Sequence, residues 1–263
     1  MIRWHRLSGA IALVTSLGSA WAGVGGRDQG LDIPWDVLTL AAQRRLRDVT
    51  ERAIFSRDVL GITVRSQHTI FDFLIGHPDF ATTAGRILGI VKYRVEKKQE
   101  GLYWGDDAHG ATGTFELLHA EQGRRIYLAK GTFEKRFLPI IYGRIVLVLV
   151  SHHATDQIGE SRVITDVRGY LRIDNPFLGI LARIARPVVG PIVDKKVLKT
   201  FTAVGKLTEQ VSHDPEALYR TLAASQEINK VELREFRRLL RTCVHGRGQS
   251  FPEDVGQAPK NSC

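Results

Sequence analysis

The most constraining feature of the sequence is a long region, from about residue 90 to 173, in which apolar and polar side chains alternate. Its clearest part is 91–96, where Val, Tyr and Val alternate with Lys, Arg and Glu. A two-residue period is typical of strands with one covered face. Short turn sequences such as Glu121-Gln122-Gly123 separate the segments, so we expect an antiparallel meander.

The period changes to a helical one after Asn175-Pro176. An apolar stripe at three- and four-residue steps predicts a long amphipathic helix, interrupted before it begins by Pro187 and Pro191. Ahead of the alternating region, a strand at about 53–65 is followed by two short helices within 66–88, the first capped by Ser66. The order of elements is therefore strand, two helices, meander, long helix.

One segment of the meander, Ile145–Val150, is apolar at every position. A strand of this kind needs cover on both of its faces. Two explanations remain open: a helix on its second face, or contact with another copy of the chain.

The amino terminus has the three parts of a secretory signal. Arg3, His5 and Arg6 form a basic start, an apolar run follows, and Ala20-Trp21-Ala22 offers small residues at the cleavage site. We expect export to the periplasm or beyond, with cleavage near Ala22. An uncleaved anchor is the alternative, but the apolar run is shorter than the roughly 20 residues of a membrane span.

Removal of residues 1–22 leaves 35 basic against 28 acidic residues, a net charge of +7. This excess favours contact with anionic lipid headgroups. The basic residues are dispersed among acidic ones, so nucleic acid is not an expected partner. The oligomeric state cannot be read from the sequence.

The sequence lacks the common catalytic and cofactor motifs. We find no G-x-S-x-G, no H-E-x-x-H and no phosphate-binding glycine loop, so neither a metal nor a cofactor is expected. The two cysteines, Cys243 and Cys263, have no metal-ligand spacing; they could form a disulfide or remain free thiols. These absences favour a non-enzymatic function over an enzyme.

The segment Val64–Leu74 is a strand that passes through the polar Ser66-Gln67-His68 into an apolar helix. Together with the order of elements, it resembles the helix-grip fold of the START/polyketide-cyclase-like (SRPBCC) superfamily. The resemblance covers about residues 52–213 and implies an α+β fold, with an antiparallel curved sheet gripping the long C-terminal helix. The expected organisation of the chain is a signal peptide (1–22), a linker (23–33), an N-terminal helix (34–51), the helix-grip domain (52–213), C-terminal helices (214–243) and a flexible tail (244–263).

The resemblance also implies an apolar cavity between the sheet and the long helix. The side chains expected to line it are Tyr93, Val95, Phe115, Leu117, Arg144, Val163, Val167, Val197, Phe201 and Val204. The alternative for each apolar residue is ordinary core. Other polar residues that could enter a cavity are Glu116, Tyr127 and Arg168.

Three functions follow from this interpretation. The first is an exported protein that binds or carries an apolar small molecule, most simply a lipid. The second is a cyclase- or hydrolase-like enzyme on the same fold, using residues such as Glu116 or Arg144. The third is an envelope interaction protein whose Arg-rich terminal helices bind a partner.

Overall fold

The computed structural model describes residues 30–121, 123–134, 136, 139–157, 159–174 and 186–245. For 186–193 and 242–245 only the backbone is described. All the helices and strands below belong to the unit Leu31–Cys263. The expected signal peptide, most of the linker, the tail beyond 245 and both cysteine side chains lie outside the described residues.

Seven strands form one antiparallel sheet in the order β1-β7-β6-β5-β4-β3-β2. Strands β2 to β7 are a meander, and the strand predicted at about 53–65 is β1, which pairs with β7 and lies at the edge of the sheet. The strands are β1 (Phe55–Arg65), β2 (Arg94–Gln99), β3 (Leu102–Asp106), β4 (Ala111–Glu121), β5 (Arg124–Phe133), β6 (Ile141–Thr155) and β7 (Ser161–Ile173).

Six helices accompany the sheet in the described residues. They are α1 (Leu40–Thr50), α2 (His68–Gly76), α3 (Pro78–Ile87), α4 (Arg186–His213), α5 (Pro215–Ala224) and α6 (Lys230–His245). A short 3-10 turn, Trp35–Val37, precedes α1. The predicted α+β class, with a long helix after the meander and further helices at both ends, is confirmed.

Local chemistry explains most helix starts. The Thr39 side chain accepts a hydrogen bond from the backbone N–H of Ala42 at the start of α1, and Asp214 does the same for Ala217 in α5. The predicted cap at Ser66 is not observed: α2 begins after Gln67, and the Ser66 hydroxyl donates instead to the Gln67 carbonyl.

The sheet has two different faces, fixed by the alternation of its side chains. We call the face toward α2, α3 and α4 the inner face, and the face toward α1 the outer face. On β6, Val146, Val148 and Val150 belong to the outer face, whereas Leu147 and Leu149 belong to the inner face.

The outer face carries a closed apolar core against the N-terminal region. Of the two explanations for the all-apolar segment Ile145–Val150, this core supports a covering helix, because α1 and the residues before it cover the second face of β6. The buried residues of this core are Leu31, Ile33, Leu38, Ala42, Leu46, Val49, Ile126, Val146, Val148 and Val150.

The inner face carries the larger core. It joins β1 and β7 to α2, α3 and the buried side of α4. The helices α5 and α6 belong to the same core, with Leu218, Leu222, Leu233, Phe236 and Leu240 fully or almost fully buried. Phe236 of α6 stacks on Phe73 of α2, with ring centroids 5.4 Å apart.

Two ion pairs of α4 demonstrate that the sheet is curved. Asp194 accepts hydrogen bonds from Arg57 of β1 at 2.9 and 2.6 Å. Two residues later, Lys196 donates to Asp107, just after β3, at 2.7 Å. In the sheet order β1 and β3 are five strand spacings apart, about 24 Å in a flat sheet. Both reach the same turn of α4 only because the sheet bends around it.

Candidate functional site

The inner face of the sheet is less completely covered than the outer face. Along β6, Val146 and Val148 of the outer face are 0% exposed. The intervening inner-face residues Leu147 and Leu149 are only half-buried, and Ile145 is 37% exposed. Because these residues alternate on one strand, the difference comes from what covers each face.

The partly accessible inner surface extends across neighbouring strands. Phe115 of β4 lies opposite Ala129 of β5, which lies opposite Ile145 of β6. We call this surface the inner trough. It is formed by the half-buried or exposed side chains Val95, Phe115, Leu117, Ala129, Ile145, Leu147 and Leu149.

A row of three aromatic rings crosses one end of the trough. Tyr103 stacks on Phe115 at 5.2 Å between centroids, and Phe115 meets Tyr127 edge-on at 6.1 Å. The rings stand on the adjacent strands β3, β4 and β5, so their order follows directly from the strand register. They form an aromatic wall with two hydroxyl groups, and both of its tyrosines are themselves buried.

Both hydroxyl groups point toward the end of α2. The Tyr127 hydroxyl donates to the Ile75 carbonyl at 3.3 Å, and the Tyr103 hydroxyl donates to the Gly76 carbonyl at 3.4 Å. Burial raises the pKa of Tyr127, and burial together with the charge of Asp79 raises the pKa of Tyr103. Both hydroxyl groups therefore stay protonated near neutral pH and act as hydrogen-bond donors.

A row of glycines leaves part of the inner face without side chains. Gly105 pairs with Gly113, Gly113 with Gly131, and Gly131 with Gly143. A Cβ atom at Gly113 would lie 2.4 Å from the Lys130 carbonyl oxygen and 2.6 Å from the Gly131 Cα. The backbones of β4 and β5 thus approach more closely than any side chain permits, which lets the sheet bend.

The helix α4 lies across the inner face and contacts the sheet at β1 and again just after β3. The hydrogen bonds from Arg57 are the main reason that the pKa of Asp194 lies below its usual value. The Lys196 ammonium lies over the Phe133 ring, 5.9 Å from its centroid, as well as bonding Asp107. These contacts fix α4 to both sides of the curved sheet.

The ten residues predicted to line a cavity divide into four groups. Phe115, Leu117 and Val95 lie in the trough. Val163, Val167, Phe201 and Val204 are buried in the closed part of the inner core, and Val197 packs against them. Tyr93 lies just before β2, half-buried, with its pKa raised by burial.

Arg144 forms the last group by itself, because it lies on the outer face. It bonds Asp48 of α1 at 2.7 Å and lies 3.1 Å from an Asp174 oxygen. The position follows from alternation: its neighbour Ile145 faces inward, so Arg144 faces outward.

The same alternation places two other candidate polar residues on the outer face. Glu116 pairs with Arg45 at 2.5 Å and Arg168 with Asp58 at 2.8 Å. Glu116, Arg144 and Arg168 therefore do not enter the inner trough, and an enzyme built on Glu116 or Arg144 inside the cavity is not supported. Tyr127 does reach the trough.

Sequence reasoning missed several features of the trough. Tyr103 is not among the residues predicted to line the cavity, although its register with Phe115 places it on the inner face. Leu147 and Leu149 belong to a run that is apolar at every position, so no alternation assigns them to one face. Each of the strands β3 to β6 contributes one glycine to the row, so the bare strip follows from the strand register and is not visible as a pattern within any one strand.

The described residues offer little for metal or membrane-spanning functions. No group of three or more His, Cys, Asp or Glu side chains among them could hold a metal ion. Asp107 accepts hydrogen bonds from the backbone of His109 and Ala111 within its turn, so this carboxylate stabilises the turn itself. No helix in the described part of the chain is both long and apolar enough to cross a membrane.

Comparison with known proteins finds similarity in structure alone. No protein-family model matches the chain, and no curated protein matches its sequence. Similar solved structures include a conserved protein from Geobacillus kaustophilus, 13% identical, with a TM-score of 0.39 over 59% of this chain and 93% of that one. They also include Ara h 8.0201, 11% identical, with a TM-score of 0.36 over 59% and 97%.

A third similar structure is an uncharacterized protein from Rhizobium leguminosarum, 9% identical, with a TM-score of 0.31 over 56% of this chain and 91% of that one. At these values the similarities establish neither a family nor a function. The fold itself is established by the strand order and the position of α4.

Proposed function

We propose that this protein binds or carries an apolar small molecule, in the first place a lipid, in the inner trough. The observation that carries the proposal is the unequal burial of adjacent residues on β6. Apolar side chains that remain accessible at the centre of a sheet, beside two tyrosine hydroxyls, are typical of a ligand site. Their exposure costs free energy that a bound apolar molecule would recover.

The proposal includes export and a basic surface for anionic headgroups. The N-terminal sequence 1–22 supports export, because it has the order of a secretory signal. A cleft of about 480 Å³ beside α1 supports the second part. Four cations line it, Arg44, Arg45, Lys130 and Arg144, against the two acids Asp48 and Glu116, so basic residues are in excess. Leu40 is exposed at the start of α1.

The first test is whether the mature protein holds a lipid. Protein purified from its native compartment is examined by native mass spectrometry, then extracted with organic solvent and the extract identified. A stoichiometric apolar molecule is the expected result. A bare protein that also takes up no fluorescent fatty acid after delipidation would refute the proposal.

A pair of matched variants locates the ligand. Ile145→Glu places a charge on the floor of the trough, and Leu60→Glu places the same charge on an exposed position of β1. We expect the first to weaken uptake of a fluorescent fatty acid about tenfold or more, since an unpaired charge opposes an apolar ligand, and the second to leave it unchanged. Equal binding by both variants would place the ligand elsewhere.

A further inference from the structure

A second cleft, of about 460 Å³, lies between α3, β2 and the start of α6. It adjoins the inner trough at Val95, which belongs to both, but its lining is of a different kind. Charged side chains dominate its lining, and two of them are acidic residues from the first turns of different helices: Asp79 of α3 and Glu232 of α6.

Each of these carboxyl groups has one buried oxygen without a hydrogen-bond partner among the described residues; Glu232 is buried as a whole and Asp79 is partly exposed. Glu232 is only 6% exposed, and its Oε2 atom has no hydrogen-bond partner among the described residues. The Oδ1 atom of Asp79 is likewise buried and without a partner in the described part of the chain. A buried acceptor that lacks a donor costs free energy, more so when it is charged.

The other acidic residues of the cleft have cations of their own. Glu227 lies 3.0 Å from an Arg86 nitrogen, and Glu96 lies 2.7 Å from an Arg94 nitrogen. Lys97 is the third cation of the lining, and it bonds Glu100 at 2.8 Å.

Lys97 and His77 are the basic groups whose charges act on Glu232, but neither bonds it in the described structure. Burial raises the pKa of Glu232, and the charge of Asp79 raises it further. The cleft therefore holds two acidic groups that repel one another, and no cation in the described part of the chain is bonded to either.

The helix starts account for only part of this arrangement. A carboxylate in the first turn interacts favourably with the helix dipole, which explains the position of each residue on its own helix. It does not explain why two such groups meet in one cleft. Glu216 provides a comparison, because it occupies the first turn of α5 and also has a buried oxygen without a partner among the described residues, but does not line the cleft. What distinguishes the cleft is that two such carboxyl groups lie in one place.

We propose that this cleft binds a small organic cation, with the ammonium group of a primary amine placed between Asp79 and Glu232. An ammonium group carries three donors and no acceptor, and ionised carboxylates only accept. Its charge neutralises the pair and its N–H groups satisfy the free oxygens. A divalent metal fits less well, since the described residues supply no third ligand of the usual kind.

The test uses the full mature protein and n-butylammonium chloride as the probe, in isothermal titration calorimetry at low salt. We expect saturable binding of one equivalent, and none of butan-1-ol, which has the same length without the charge. Glu232→Gln and Asp79→Asn each remove one charge while keeping the shape of the side chain. Each should weaken binding roughly tenfold or more.

Glu216→Gln is the matched control and should bind the probe as the unchanged protein does. Thermal melts followed by circular dichroism verify that each variant is folded, and Asp79→Asn serves if Glu232→Gln is not. Absence of probe binding would overturn the proposal. So would equal binding by both cleft variants, or calcium binding that is tighter than that of the amine.

Discussion

The two faces of the sheet are built from the same strands but are buried to different extents. The outer face is sealed by α1 and the residues before it, so Val146 and Val148 are inaccessible. The inner face is covered by α2 and α4 only in part, so Leu147 and Leu149 remain half-buried. The strand β6 is equally apolar on both sides, which teaches that burial is set by the covering helices and not by the strand itself.

The largest expected effect is a difference in stability between the two faces. Ile126→Ala removes a fully buried side chain of the outer core and should lower the free energy of unfolding by about 2–5 kcal/mol. Leu147→Ala on the inner face should cost less than about 1.5 kcal/mol, because its side chain already contacts solvent. Urea denaturation measures both. Equal losses would mean that the inner face is packed as tightly as the outer.

The glycine row gives a smaller effect on the inner face. In Gly131→Ala the new Cβ would lie 2.3 Å from the Thr112 carbonyl oxygen, so the strands must move apart at a cost of about 1–3 kcal/mol. The matched control is Gly205→Ala in α4, where the nearest atom is 3.8 Å away and helix propensity predicts a gain of about 0.5–1 kcal/mol. Thermal melting of the two variants should shift in opposite directions; a harmless Gly131→Ala would contradict the close approach of β4 and β5.

The smallest effect concerns the ion pairs that Asp48 makes with Arg144 and Arg172 beside the outer core, which we call the ionic border. Asp48 accepts a hydrogen bond from Arg172, which is the main cause of its lowered pKa; burial opposes the shift, and the charges of Arg172, Arg144 and Arg52 add to it. Because the folded-state pKa is the lower one, this stabilisation is present above about pH 4, the unfolded value, and is lost as the pH falls through the folded value.

Asp48→Asn should therefore cost on the order of 1 kcal/mol near pH 7, a figure reduced by solvent screening, and progressively less toward pH 3. Urea denaturation across this pH range measures the difference. Asp36→Asn, on the 3-10 turn outside this network, is the control and should show no such trend. If Asp48→Asn lowers the free energy of unfolding by the same amount at every pH, the charge of Asp48 does not stabilise the fold.

The sequence was sufficient for the fold because its information is local. Alternation identified the meander, and the helical stripe of Val197, Phe201 and Val204 identified the buried side of α4. Element boundaries were less accurate: β2 begins at Arg94, not at Val91, because pairing with β3 starts there. The role of α1 as the cover of β6 depended on tertiary contact, which no local pattern encodes.

The candidate site was predictable only where alternation decides the answer. Phe115 and Leu117 were placed on the inner face by the same pattern that places Glu116 outside. Arg144 was expected inside because a polar group in an apolar pocket orients a ligand, yet its ion pairs with Asp48 and Asp174 hold it outside. The second cleft could not be foreseen, since Asp79 and Glu232 are brought together only by the packing of α3 near α6.

The pairing of β1 with β7 also determines when the chain can fold. Phe55 pairs with Leu171, which follows it by 116 positions (171 − 55), so β1 has no partner until nearly the whole sheet has been synthesised. Contacts this distant close slowly, because the entropy of the intervening loop is lost first. The hairpins of β2 to β6 can form while the chain is still being made, whereas the edge formed by β1 can be completed only after β7 has been added.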